Sequence, residues 1–78
     1  MAEPGIAKRS VTIAGHRTSI SLEAPFWEAL GEIARDRGLS LGGLVAEIDA
    51  GRGVGNLSSA LRLHVLATLQ ARLDRSSP

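Results

Sequence analysis

Polar and apolar residues alternate along residues 8–22 (KRSVTIAGHRTSISL), and a glycine interrupts the alternation once, at Gly15. A period of two predicts half-buried β-strands. A two-residue turn at Gly15-His16, with glycine in the first central position, joins the strands into a hairpin and places Val11 opposite Ile20. One face of the hairpin is then apolar. The other face carries Lys8, Ser10, Thr12, Arg17, Ser19 and Ser21.

The pattern changes to helical spacing after the hairpin. Residues 25–37 (PFWEALGEIARDR) place apolar side chains on one side of a helix, and Gly38 follows as a left-handed cap. Residues 40–50 (SLGGLVAEIDA) form a second helix with leucines, valine and isoleucine at i, i+3, i+4 and i+7. Ser40 is the expected N-cap of this helix.

A third helix is predicted over residues 57–73, capped by Asn56. Leucine, valine and alanine occur on more than one side of it, which is typical of a helix that is buried on two sides. We expect one domain over residues 8–73, a flexible terminus over 1–7 and a frayed tail over 74–78. The predicted fold class is α+β and mostly helical.

Size and composition favour an oligomer and argue against an enzyme. A chain of 78 residues without cysteine has a small core and no disulfide to support it. Burial against a second copy is the remaining source of stability, so we expect a homodimer. Such a chain is also too small to enclose most catalytic pockets, and His16 and His64 alone do not make a metal site. No metal or other cofactor is expected.

Net charge is +1 overall, but it is unevenly distributed: +2 over residues 1–22, −4 over 23–49 and +3 over 50–78. An acidic nucleic acid would prefer the first segment to the second. No apolar run reaches the roughly 18 residues of a membrane span. The first ten residues also lack the apolar core of a secretory signal, so a cytoplasmic location without membrane contact is expected.

Residues 17–50 resemble the ribbon-helix-helix family of bacterial DNA-binding proteins, of the Arc and MetJ type. The resemblance depends on a polar-alternating strand RTSISL, a helix that ends in IARDRGLS, and the apolar stripe of the helix after it. The chain looks like a small branch of this family with an added hairpin strand and a third helix. The resemblance implies an intertwined homodimer that acts as a transcriptional regulator and binds double-stranded DNA through a β-ribbon in the major groove.

The resemblance also assigns roles to individual residues. The positions that face the bases are Arg17, Ser19 and Ser21. The positions that contact phosphate are Ser40, Leu41, Gly42, Lys8 and Arg9. The positions in the dimer core are Ile20, Leu22, Trp27, Leu30, Leu44, Val45, Ile48, Leu61 and Val65.

Plainer explanations stay open for the same residues. A polar face is also typical of the solvent-exposed side of any antiparallel sheet. Ser40 is equally explained as an N-cap with no contact to phosphate. If two hairpins joined edge to edge, four strands would span roughly 14 Å, whereas the major groove is about 12 Å wide. The alternative function is a protein–protein interaction module, or adaptor, that has the same fold but no affinity for DNA.

Overall fold

A computed structural model describes residues 5–76 and shows a hairpin followed by three helices. The predicted fold class of a hairpin and three helices is therefore confirmed. The elements are β1 (Ile6–Ile13), β2 (His16–Glu23), α1 (Ala24–Asp36), α2 (Leu41–Gly51) and α3 (Leu57–Ser76). β1 begins two residues before the predicted strand, and α3 continues three residues past its predicted end. Residues 1–4 and 77–78, expected to be part of the loose terminus and tail, lie outside the described residues.

The turn of the hairpin lies one residue earlier than predicted. Its central residues are Ala14 and Gly15, both with positive φ (50° and 82°), which is typical of a type I′ turn rather than the expected II′ turn. Val11 therefore pairs with Thr18 and not with Ile20. The shift moves the pairing by two residues, and side chains alternate with a period of two. Each side chain therefore stays on its predicted face, and the polarity pattern could not distinguish the two registers.

Ala14 is the weak position of this turn, because an L-residue with a side chain rarely adopts positive φ. Replacing Ala14 with asparagine, which tolerates this conformation and favours type I′ turns, is expected to stabilise the fold by about 0.5–1 kcal/mol. Urea unfolding measures the change. Ala50→Asn is the control, because the same substitution on an exposed right-handed helix should lower stability. A loss of stability in Ala14→Asn would contradict the turn assignment.

The predicted helix ends are present. The Ser40 hydroxyl accepts a 2.9 Å hydrogen bond from the amide three residues further on, and the side chain of Asn56 accepts one of 3.2 Å in the same way. Gly38 follows α1 with φ of 70°. The amides of Gly38 and Leu39 return to carbonyls in the last turn of α1, which closes it in a Schellman motif.

One core lies between the hairpin and the helices, and a single chain already buries it. The nine positions assigned to a dimer core all lie in it, each 9% exposed or less. They are Ile20, Leu22, Trp27, Leu30, Leu44, Val45, Ile48, Leu61 and Val65. Side chains this deeply buried have little surface left for a partner. Dimerisation stays a prediction, and a second chain would need a different surface.

Two polar contacts fasten α3 to the end of β2. The guanidinium of Arg62 donates two hydrogen bonds to the carboxylate of Glu23, at 2.9 and 3.2 Å. The hydroxyl of Ser58 donates to the carbonyl of Ser21 at 3.1 Å. Both contacts join residues almost 40 positions apart, so no local pattern in the sequence predicts them.

The contact between Arg62 and Glu23 makes stability depend on pH. The hydrogen bonds from Arg62 lower the pKa of Glu23 below its ordinary value of 4.5. A lowered carboxyl pKa contributes stability above the ordinary value, and this contribution is lost as the pH falls through the lowered pKa. Arg62→Gln should therefore flatten the acid side of the stability curve, measured by urea unfolding from neutral pH to about 3.

The slope should not vanish in this variant, because Arg37 lowers the pKa of Glu47 in the same direction. Arg35→Gln removes a positive charge from α1 without removing either of these ion pairs, and it serves as the control. Equal slopes in the Arg62→Gln and Arg35→Gln proteins would contradict a stabilising role for the ion pair.

Candidate nucleic-acid interface

The outward side of the hairpin brings together the polar residues that the sequence placed there. We call the following six residues the ribbon face: Lys8, Ser10, Thr12, Arg17, Ser19 and Ser21. All six are exposed, and they pair across the strands as Lys8 with Ser21, Ser10 with Ser19, and Thr12 with Arg17. The ribbon face therefore presents four hydroxyls and two cations and contains no carboxylate. Glu23 follows at its end, but Arg62 holds that carboxylate.

The two cationic side chains of the ribbon face take no part in the ion pairs of the described residues. Four arginines form ion pairs with carboxylates within the described residues, and neither Lys8 nor Arg17 takes part in any of them. A surface of hydroxyls and cations without nearby carboxylates favours the binding of a polyanion. Phosphate oxygens accept hydrogen bonds from both kinds of group, and no carboxylate is present to repel them.

The start of α2 lies beside the end of β1. A side chain at Gly42 would begin 3.5 Å from the carbonyl oxygen of Thr12. Ser40 is exposed and caps Gly43, while Leu41 packs its side chain against the core. Leu41 and Gly42 could therefore offer only backbone amides to a phosphate, as the first amides of a helix do.

Arg9 lies apart from the other candidate phosphate contacts. Its position in the strand turns it away from Lys8, and its guanidinium lies 5.5 Å from the ring centre of Trp27. Glu28, Glu32 and a second arginine of α1 line the same shallow cleft. The charges of the cleft therefore balance and do not attract a phosphate, and the contact with Trp27 was not predicted from the sequence. The only sequence signal is that Arg9 interrupts the apolar face of its strand.

The free edge of β2 is partly covered. The amide of Ala24 donates to the carbonyl of Gly5 at 3.3 Å. Because backbone groups alternate in direction along an antiparallel pair, this contact places the carbonyl of Ser21 on the outer edge of β2. Ser58 of α3 occupies that carbonyl. A further strand along β2 would compete with Ser58 for the carbonyl of Ser21. The sheet of the described chain is two strands wide.

The described part of the chain forms neither a cluster of metal-binding side chains nor a membrane-spanning helix. Across residues 5–76, no group of three or more histidine, cysteine or acidic side chains is placed to hold a metal ion. No helix in this range is long and apolar enough to cross a membrane.

A β-hairpin with an exposed polar face, packed on a two-helix unit with a capped turn, defines a ribbon-type α+β domain. A family profile for the ribbon-helix-helix domain matches residues 6–69. The chain belongs to this family, and the predicted relationship is confirmed. The third helix lies largely inside the matched range. Ribbon-helix-helix domains are typical of DNA-binding transcriptional regulators, and they are generally non-enzymatic.

One solved structure has a similar fold over nearly the whole chain. It is an uncharacterized protein from Bordetella pertussis Tohama I, with 27% sequence identity and a TM-score of 0.78. The alignment covers 96% of this chain and 64% of that one, so this chain spans less than two thirds of the similar protein. A search of curated proteins found no significant match.

Proposed function

We propose that this protein is a sequence-specific DNA-binding protein, acting as a homodimeric transcriptional regulator in the bacterial cytoplasm. In this proposal the ribbon face enters the major groove, where Arg17, Ser19 and Ser21 face the bases. Arginine pairs with two acceptors of guanine, and serine hydroxyls both donate and accept. The membership of the chain in the ribbon-helix-helix family supports this function.

The observation that carries the proposal is the composition of the ribbon face. Six exposed side chains, two cationic and four with hydroxyls, lie on a sheet that is only two strands wide. Two strands are separated by about 4.8 Å, so one hairpin fits a groove about 12 Å wide. A four-stranded sheet that would exceed the groove arises only if a second hairpin pairs at a free edge of β1 or β2, and at the β2 edge the carbonyl of Ser21 already accepts from Ser58.

Phosphate contacts would flank the groove. Lys8 is on the ribbon face, and the amides of Leu41 and Gly42 begin a helix beside β1. Ser40 would support them by capping that helix, or contact a phosphate with its exposed hydroxyl. Of the five proposed phosphate contacts, Arg9 is the one that the geometry supports least, because its guanidinium stacks on Trp27 beside two glutamates.

The test is selection from a pool of random duplex DNA with the purified full chain, at about 50 and 200 mM salt. We expect enrichment of a short defined sequence, with weaker binding at the higher salt. Arg17→Ala should weaken binding to the enriched sequence by about 1–3 kcal/mol, which is roughly 5- to 150-fold.

Arg35→Ala is the matched control, because it removes the same charge from an exposed position of α1. Equal losses in the two variants would mean that only net charge matters and would contradict base contact by Arg17. No enrichment at either salt would overturn the DNA proposal and favour the protein–protein interaction module.

A further inference from the structure

Two hydroxyl side chains of β1 lie on the ribbon face but have no role in the proposed function. Ser10 and Thr12 are both exposed, and they lie directly opposite Ser19 and Arg17 of β2. Residues that pair across an antiparallel ladder have Cβ atoms about 4.5–5.5 Å apart. The two hydroxyls of β1 therefore lie beside the β2 side chains that are proposed to face the bases, on the same side of the sheet.

The width of the major groove allows both strands of the hairpin to face its floor. β1 lies about 4.8 Å from β2, and the groove is about 12 Å wide. When β2 lies along the middle of the groove, β1 is still within the half-width of about 6 Å. The side chains of the ribbon face project from both strands in the same direction, so the β1 row also points towards the bases.

The hydroxyls of β1 are available for hydrogen bonds to a partner. The serine and threonine hydroxyls that hydrogen-bond within residues 5–76 are those of Ser40, Ser58 and Thr68. The hydroxyls of Ser10 and Thr12 are not among them. A hydroxyl both donates and accepts, so it can contact either kind of group on the edge of a base.

The two ends of β1 lie beside proposed contacts to phosphate. Lys8 lies towards one end of the strand, and the start of α2 lies beside the other. A Cβ atom at Gly42 would lie 3.5 Å from the carbonyl oxygen of Thr12. Contacts to phosphate fix the register and orientation of a protein on the duplex. Contacts at both ends would therefore hold β1 along the groove, with Ser10 between them.

We propose that β1 is a second recognition strand, in which the hydroxyls of Ser10 and Thr12 contact the edges of bases. This inference rests on the proposed function and adds β1 to the base-reading surface. The base pairs contacted by the two strands should be neighbours, since the strand spacing of about 4.8 Å is little more than the rise of about 3.4 Å per base pair.

The test measures which base pairs each protein distinguishes. The wild type and a Ser10→Ala/Thr12→Val double variant are titrated against the duplex that the wild type enriches, and against versions of it with one base pair changed. We expect the double variant to lose about 2- to 10-fold of discrimination at one or two base pairs, the effect of losing one hydrogen bond at each. Arg17→Ala should lose discrimination at a neighbouring base pair.

The control is a Thr18→Val/Ser59→Ala double variant, which removes the same two kinds of hydroxyl from outside the ribbon face. Thr18 is half-buried on the opposite side of β2, and Ser59 is exposed near the start of α3. The control should distinguish base pairs as the wild type does. Urea unfolding checks that both double variants are folded.

The outcomes separate this inference from the proposed function. If the wild type enriches no duplex, both are overturned. If it enriches one, wild-type discrimination in the Ser10→Ala/Thr12→Val protein would overturn the inference alone. An equal loss of affinity for every duplex would also overturn it, because contacts to phosphate weaken binding uniformly across sequences. β1 would then lie at the wall of the groove, as the outer strand of a wider sheet would.

A second experiment uses the absence of native cysteine. The Thr12→Cys protein should form a disulfide with a thiol tethered to a base of the enriched duplex, at the base pair next to the one affected by Arg17→Ala. The Thr18→Cys protein should not, because that side chain lies on the opposite side of the sheet. Cross-linking of the Thr12→Cys protein no faster than that of the Thr18→Cys protein would overturn the inference.

Discussion

Trp27→Ala is expected to leave most of the protein unfolded at room temperature. The indole is 2% exposed, and its Nε1 donates a 2.8 Å hydrogen bond to the carbonyl of Ala7. Truncating a buried tryptophan to alanine costs about 3–5 kcal/mol. A core of this size supplies about the same amount in total. Far-UV circular dichroism and urea unfolding, at one fixed protein concentration, measure the loss.

Trp27→Phe separates the two contributions of this residue. Phenylalanine keeps most of the buried surface but has no donor for the carbonyl of Ala7, so we expect a smaller cost of about 1–3 kcal/mol. Phe26→Ala, next to it but only half-buried, is expected to cost less than Trp27→Ala. If Trp27→Ala were no more destabilising than Phe26→Ala, Trp27 could not be the residue that holds β1 against α1.

Ser19→Glu is expected to abolish sequence-specific DNA binding while the fold is retained. Ser19 is exposed in the middle of the ribbon face, opposite Ser10. A carboxylate there would lie in the groove between two rows of phosphates, and the juxtaposition of like charges costs several kcal/mol. We expect affinity for the enriched duplex to fall by at least about a hundredfold, measured by titration of labelled DNA.

Ala50→Glu is the control for this variant. It adds the same charge at an exposed position of α2, away from the hairpin, and should lower affinity only slightly. Unfolding in urea should show that Ser19→Glu is folded. Wild-type affinity in a folded Ser19→Glu protein would exclude the ribbon face as the DNA-binding surface.

The sequence predicted the local features of the fold because their causes are local. The caps at Ser40, Gly38 and Asn56 depend on residues within one helical turn, and the faces of the hairpin depend on a period of two. The same reasoning identified the buried positions, since helical spacing selects them. Their assignment to a dimer core stays a prediction, because the pattern indicates which side chains are buried and not which chain covers them.

Contacts between distant residues were not predictable in this way. Arg62 binds Glu23 because α3 folds back across the start of α1, and nothing in either segment specifies the other. Arg9 was placed with the phosphate contacts for its charge, but its strand direction turns it onto Trp27. The six residues of the ribbon face were predicted correctly as a group, because a register error of two residues leaves every side chain on its face.

The hairpin also determines what kind of DNA sequence one copy of the proposed regulator would read. A ribbon built from the same strand of two identical chains has a two-fold axis and therefore reads a palindrome. Here the two strands are different parts of one chain, and they present Lys-Ser-Thr from β1 and Arg-Ser-Ser from β2. The half-site of one hairpin should consequently be asymmetric. Any palindromic character in the operator would arise from two such half-sites in inverted orientation, with a spacing set by the distance between the two hairpins.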